Sequence, residues 1–176
     1  MRFNLAPVLS AVLLASTVAA SGASISASLG RITSKALALN HIVASWKGDI
    51  FGVIPILTAS SALTDAIENG TAVAKASKPL SQDEAFGIVG PASTLVDDTT
   101  SVLKTLVAAK PKFDALLIGS PLVLQILKTD RKDAKDLTTA VTAKVPAELQ
   151  SVAQSITAPI DTAFANAIKK YSSGGF

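Results

Sequence analysis

The sequence predicts an all-α fold, a bundle of five helices, and three observations carry that expectation. From about Ser28 onward nearly every segment places apolar residues three and four apart, the repeat of one helix face. No run alternates apolar and polar residues for long enough to argue a strand. Gly, Pro and capping residues fall between the periodic segments, where helices start and stop.

Helix one is expected over residues 28–46, with Leu29, Ile32, Ala36, Leu39 and Val43 on one face and Gly48 closing it. Helix two, over 49–75, carries Val53, Leu57, Ser60, Leu63, Ile67 and Ala74, and Pro55 lies in its first turns, where a missing N–H matters least. Ser81-Gln82-Asp83-Glu84 has the form of a capping box and opens helix three, over 81–109. Its inner face is expected to include Phe86, Val89, Val96, Leu103 and Leu106. Gly90-Pro91 should kink or interrupt it, and residues 110–114 should form a bend. Ser120-Pro121 reads as cap plus first residue of helix four, which carries Leu127, Ala134, Leu137 and Val141 and ends near Lys144. Its stretch 128–136, dense in both signs of charge, reads as a solvated face. Pro146 begins helix five, whose Leu149, Val152, Ile156, Ile160, Ala163, Ile168 and Tyr171 make the longest stripe in the chain. Pro159 should bend that helix, giving a bundle with proline-bent helices.

The N-terminus has the form of a secretory signal peptide: Arg2, then a mostly apolar stretch over residues 5–18, then small residues at Val18-Ala19-Ala20. Cleavage after Ala20 would leave residues 21–176, a single helical-bundle domain of formal charge +2. The apolar stretch is short for a membrane span, and no second segment reaches the ~20 apolar residues a span requires. The mature chain is therefore expected to be secreted, extracellular or in a cell wall, with no transmembrane segment. Asn69-Gly70-Thr71 is an N-glycosylation sequon, expected on an exposed turn, so Asn69 is a candidate glycan site. The end of the sequence has no hydrophobic tail that would encode a lipid anchor.

Composition removes most chemistries. With no Cys and one His, the 176 residues hold no disulfide, no thiolate nucleophile and no Cys/His metal site. A net charge of +3, spread along the chain, leaves no basic stripe for nucleic acid. His41 is the one imidazole, on a predicted helix, where such a residue more often sits at a boundary than in a catalytic site. Asp97 and Asp98 are adjacent, but neighbours on a helix point about 100° apart. Gly87, Gly90 and Gly119 do not form a phosphate-binding loop. The sequence supports neither an enzyme nor a cofactor.

The order of Ile67-Glu68-Asn69-Gly70-Thr71, Pro79-Leu80-Ser81, Gly90-Pro91, Lys110-Pro111-Lys112-Phe113-Asp114, Ala143-Lys144-Val145-Pro146, Leu149-Gln150-Ser151 and Pro159-Ile160-Asp161 resembles the fungal hydrophobic surface binding protein A family. That family also includes antigenic cell wall galactomannoproteins with fatty-acid-binding domains. The resemblance implies a non-catalytic secreted or cell-wall helical bundle that binds apolar ligands or adsorbs to hydrophobic surfaces. In some members it implies help to a secreted hydrolase acting on a water-insoluble polymer. The chain lacks the long Ser/Thr-rich stalks of the larger cell-wall members.

A physical basis for ligand binding stands beside the resemblance. Bent helices cannot keep contact with straight neighbours along their full length, and the gap would be lined by aliphatic side chains. Val53, Leu57, Phe86, Val89, Leu103, Leu106, Leu149, Val152, Ile156 and Ile160 are the candidates for that groove, although a plain core needs the same residues. A fatty acid or similar lipid would contribute up to ~0.8 kcal/mol per buried methylene. Its head group would need donors, for which Ser60, Ser61, Thr99 and Thr100 are candidates. Two other readings remain open: a surfactant-like adsorber whose stripes lie on an oil, wax or polymer interface, and a structural cell-wall mannoprotein.

Overall fold

The computed structural model describes residues 21–116 and 119–173. The expected signal peptide, residues 1–20, lies outside them. Five helices form, α1 (Ser21–Ser45), α2 (Val53–Ala76), α3 (Gln82–Asp114), α4 (Gly119–Thr142) and α5 (Gln150–Ser172), the last entered through a 3-10 turn, Ala147–Leu149. Among the described residues there is no strand, as the periodicity predicts.

The helices pack as a ring. α1 lies against α2 and α3, α3 against α5, α5 against α4, and α4 returns to α2, while α3 and α4 scarcely meet across the middle. Both ends of the ring are laced. At one end the capping box forms, with Ser81 Oγ accepting from the Glu84 amide at 3.2 Å and the Glu84 carboxylate accepting from the Ser81 amide at 3.0 Å. The same carboxylate accepts from the Gly22 amide at 3.0 Å, so one side chain closes the first turns of α1 and α3 together. The Ser81 and Gly22 amides hold the Glu84 carboxyl below the usual range. Leu80 N donates to Lys144 O at 2.8 Å, tying the α2–α3 link to the end of α4.

At the other end an aromatic group fills the ring. Trp46 and Phe113 lie with centroids 4.4 Å apart, and Tyr171 meets Phe113 edge-on at 6.3 Å. Tyr171 Oη donates to the Leu106 carbonyl at 2.6 Å, which pins α5 to α3. Lys110, buried beside Tyr171, forms an ion pair with Asp114 at 2.6 Å. Gly48, beyond the end of α1, has φ +94°, which L side chains adopt only with strain.

Several expectations need correction. α1 is already helical at Ser21, and α3 does not stop at Pro91 or turn at 110–114; it continues through Pro91 and Pro111 to Asp114. Buried residues flank both prolines, Ile88 and Leu95 around the first and Ala109 and Phe113 around the second, and their packing offsets the missing backbone bonds. The buried face of α3 is Ala85, Ile88, Leu95, Val96, Val102, Leu103 and Leu106, so Phe86 and Val89 stand one position off it and are exposed. In α2 the core position is Ile56, with Leu57 only half-buried. Asn69 is exposed, but within α2 and not on a turn. The buried residues of α5 all lie from Ile160 onward; residues 150–159 contribute none, and Pro159 stands at the boundary.

Urea unfolding followed by circular dichroism should show Phe113→Ala destabilised by about 3–5 kcal/mol, because its ring is 1% exposed at the centre of the aromatic group. Gly48→Ala should lose about 1 kcal/mol through backbone strain alone.

Candidate functional site

The middle of the ring is not filled. A cavity of about 120 Å³ runs between α1, α3, α4 and α5 and reaches Leu63 and Ile67 of α2. A single water needs about 10–15 Å³ of such space and several polar partners. This wall offers few, since Leu29, Ile32, Ala36, Ala92, Val96, Ala134, Val141, Ala153 and their neighbours are aliphatic. A cavity of this size and lining accommodates an apolar ligand.

Of the groove candidates, Phe86, Val89, Leu103, Leu106, Leu149, Val152, Ile156 and Ile160 all line this cavity. They divide by exposure. Leu103, Leu106 and Ile160 are buried in its wall, Leu149 and Ile156 are half-buried, and Phe86 at 61%, Val89 at 37% and Val152 at 52% exposure form an apolar lip between α3 and α5. That lip marks where the cavity meets solvent. Val53 and Leu57 lie elsewhere, on a second cavity of about 30 Å³ between α2 and α4, where Ile56, Leu122, Val123 and Phe113 are their neighbours. Leu39, Leu106, Leu127 and Asp130 line both cavities and form the partition between them.

The polar candidates scatter. Ser60 lines the second cavity, Ser61 is exposed, and Thr100 lines neither cavity although its Oγ1 is buried without a partner. Thr99 lines the large cavity, as do Thr138, Thr142 and Thr157, which sequence reasoning missed. Thr138 and Thr157 donate to carbonyls one turn back, at 2.8 and 3.1 Å, which occupies their hydroxyl protons.

Asp130 is the larger omission. The charge run 128–136 is not uniformly solvated: Lys128, Lys132 and Lys135 are exposed, but Asp130 is 6% exposed and faces inward. Its Oδ1 accepts from Thr64 Oγ1 of α2 at 2.9 Å, its one hydrogen bond among the described residues. Arg131 turns instead to α5 and pairs with Asp161 at 2.8 Å. Burial pushes the Asp130 carboxyl up to about 6, with the Thr64 hydrogen bond opposing and the like charge of Asp133 adding to the rise. The signal was present in the sequence. Val123, Leu127, Asp130, Ala134, Leu137 and Val141 follow offsets of four, three, four, three and four, which places Asp130 on the apolar stripe.

Among the described residues no group of His, Asp and Glu could hold a metal ion, and no helix is long and apolar enough to cross a membrane.

Residues 22–143 match the family described as hydrophobic surface binding protein A. Cell wall mannoprotein 1 of Aspergillus fumigatus is 29% identical over 140 residues and that of Aspergillus flavus 28% over 140. Each alignment covers 80% of this chain but 48% and 50% of the relative, so the chain spans about half the length of these curated relatives. Among solved structures, AfMp4p in complex with palmitic acid superimposes with a TM-score of 0.81 at 26% identity, covering 85% of this chain and 99% of that one. Ligand binding domain 1 of the Penicillium marneffei Mp1 protein, complexed with arachidonic acids, shares the fold with a TM-score of 0.78 at 22% identity, covering 86% and 98%.

The raised Asp130 carboxyl carries a stability consequence. The folded chain holds this proton up to about pH 6, the unfolded chain only to about 3.8, so stability falls as pH rises across that window. Asp114, Asp136, Glu148 and Asp161 titrate below their ordinary values, and what they contribute is lost only at lower pH. Thermal unfolding should therefore show a higher Tm at pH 5 than at pH 7, by on the order of 5 °C. Asp130→Asn should remove most of that difference.

Proposed function

The chain belongs to the hydrophobic surface binding protein A family, and we propose that it binds the alkyl chain of a fatty acid or similar lipid in its central cavity, without catalysis. One observation carries the reading: an aliphatic cavity of about 120 Å³ that opens through an apolar lip. Each methylene buried there or against the apolar lip yields about 0.8 kcal/mol before ordering costs, so a long alkyl chain that uses both reaches the micromolar range. The palmitic acid complex of the similar AfMp4p structure supports the ligand class. Thr99 and Thr142, whose hydroxyls make no hydrogen bond among the described residues, are hydroxyl groups on the wall free to meet a head group. The mature chain, residues 21–176 after cleavage behind Ala20, acts outside the cell or in the wall as a single domain, and the mannoprotein relatives support that location.

A second observation favours an additional adsorptive role. Ile50, Phe51 and Ile54, at 52%, 80% and 65% exposure, form an apolar patch where the α1–α2 link enters α2, and the patch lines neither cavity. On a wax or polymer surface such a patch would anchor the molecule, and a hydrolase recruited there would gain local substrate.

Native mass spectrometry of the delipidated chain with palmitate is expected to saturate at one or two ligands. Ala153→Phe, which fills the cavity beside the lip, should lower affinity at least tenfold while the chain stays folded. Ile156→Asp should abolish binding and also destabilise the fold by burying an unpaired charge. Unchanged binding by a folded Ala153→Phe chain rejects the cavity as the site. Phe51→Ser with Ile54→Ser should reduce retention on polystyrene beads and leave the palmitate stoichiometry intact.

A further inference from the structure

Asp130 is unusual among the charged residues in lining both cavities. Among the described residues no other Asp, Glu, Lys, Arg or His lines either. It sits on the partition with Leu39, Leu106 and Leu127, and Leu106 lies about 30 Å of helix rise beyond Phe86 along α3, so the inner end of a chain threaded past Phe86 runs toward its carboxyl. Its single hydrogen bond, from Thr64, leaves acceptor capacity on the carboxylate. A buried carboxylate without a cation and short of donors is unfavourable for the empty protein, and a ligand that brings a donor relieves it.

We propose that Asp130 determines head-group specificity at the inner end of the cavity: it accepts a ligand head that donates a hydrogen bond, a long-chain alcohol or amine, and repels a carboxylate. The inference rests on the cavity being the lipid site. A hydroxyl or ammonium head seated beside Leu127 donates to the open acceptor of Asp130, while the alkyl chain runs back toward the lip. A fatty acid is left with the reverse orientation alone, its carboxylate at the lip and its methyl end against the ionised Asp130, and it gains the inward orientation once that charge is removed. Two carboxylates share so small a space only with a proton between them.

The charge balance around Asp130 supports this sign. α2 presents Thr64 and Ser60, α1 presents Leu39 and α3 presents Leu106, none of which titrates in the relevant range. On α5, Asp161 turns outward to Arg131. On α4, Asp133 adds negative charge and is partly offset by Lys132 at 3.7 Å. Among the described residues no cation pairs with the Asp130 carboxyl. Protonation, favoured by burial toward pH 6, converts Asp130 from acceptor to donor and lifts its discrimination against acids.

The test compares 1-dodecanol, dodecylamine and laurate, ligands of one chain length, by displacement of N-phenyl-1-naphthylamine from the whole delipidated chain. At pH 7.5 the alcohol and the amine should bind at least tenfold tighter than laurate, and laurate should gain about tenfold at pH 5. Asp130→Asn keeps an acceptor for Thr64 and removes the charge. Laurate should then bind about tenfold tighter at pH 7.5 with its pH dependence flattened, the amine about tenfold weaker, and the alcohol little changed. Thr64→Val, a second variant of nearly equal volume, leaves the carboxyl without its donor and should move the laurate transition to higher pH. If all three ligands bind but their ratios are the same in wild type and Asp130→Asn, the assignment of Asp130 is wrong and the cavity reading stands. If none binds, both fall.

Discussion

Five helices in a ring cannot meet at its centre. With neighbouring axes 8–10 Å apart, a regular five-membered ring places each axis about 7–8.5 Å from the middle, farther than in a four-helix bundle. Only long side chains reach that far, and this chain supplies few of them. Aromatics are 5% of its residues, and three of them, Trp46, Phe113 and Tyr171, are gathered at one end. There the ring is plugged. Along the rest, Ala36, Ala92, Ala134 and Ala153 face inward and the space between them stays open. The cavity thus follows from topology and composition together, and needs no departure from ordinary helix packing.

The same constraint explains how the ends are built. A ring with an open middle has less interior contact to hold its members in register, and directional bonds at the rims supply it. Glu84 joins α1 to α3, the Leu80–Lys144 backbone bond joins the α2–α3 link to α4, and Tyr171 joins α5 to α3. A buried polar contact away from the rims, from Thr64 to Asp130, joins the neighbouring helices α2 and α4. That bond fixes the rotation of α4, since Asp130 faces α2 while Arg131, one residue and about 100° on, faces α5.

Much of this was legible in the sequence. Periodicity gave the five helices, and the Ser81–Glu84 pattern gave the start of α3 because a capping box is a local structure whose partners are three residues apart. What was not legible depends on contacts distant in the chain. Proline marks where a helix loses a bond, yet α3 persists through Pro91 and Pro111 because packing on both sides outweighs the loss. Phe86 and Val89 satisfy a helix stripe as well as Ala85 and Ile88 do, and only the position of α5 decides which pair is inside. Asp130 was obscured for a different reason, since charged neighbours on other faces of α4 masked a position that the apolar repeat already marked. A core position and a cavity wall demand the same side chains, so the apolar repeat alone does not separate the two.

The uneven burial along α5 has a kinetic meaning. From Ile160 to Tyr171 the helix is held by buried side chains and by a hydrogen bond to α3, whereas residues 150–159 bury none and end at a proline that cannot donate to the turn before it. Opening free energies are not uniform across such a structure, and the first half of α5 is the segment whose detachment sacrifices least. Detachment of that half would widen the opening beside the lip and leave the rest of α5 in place, so opening of the cavity need not wait for unfolding of the bundle.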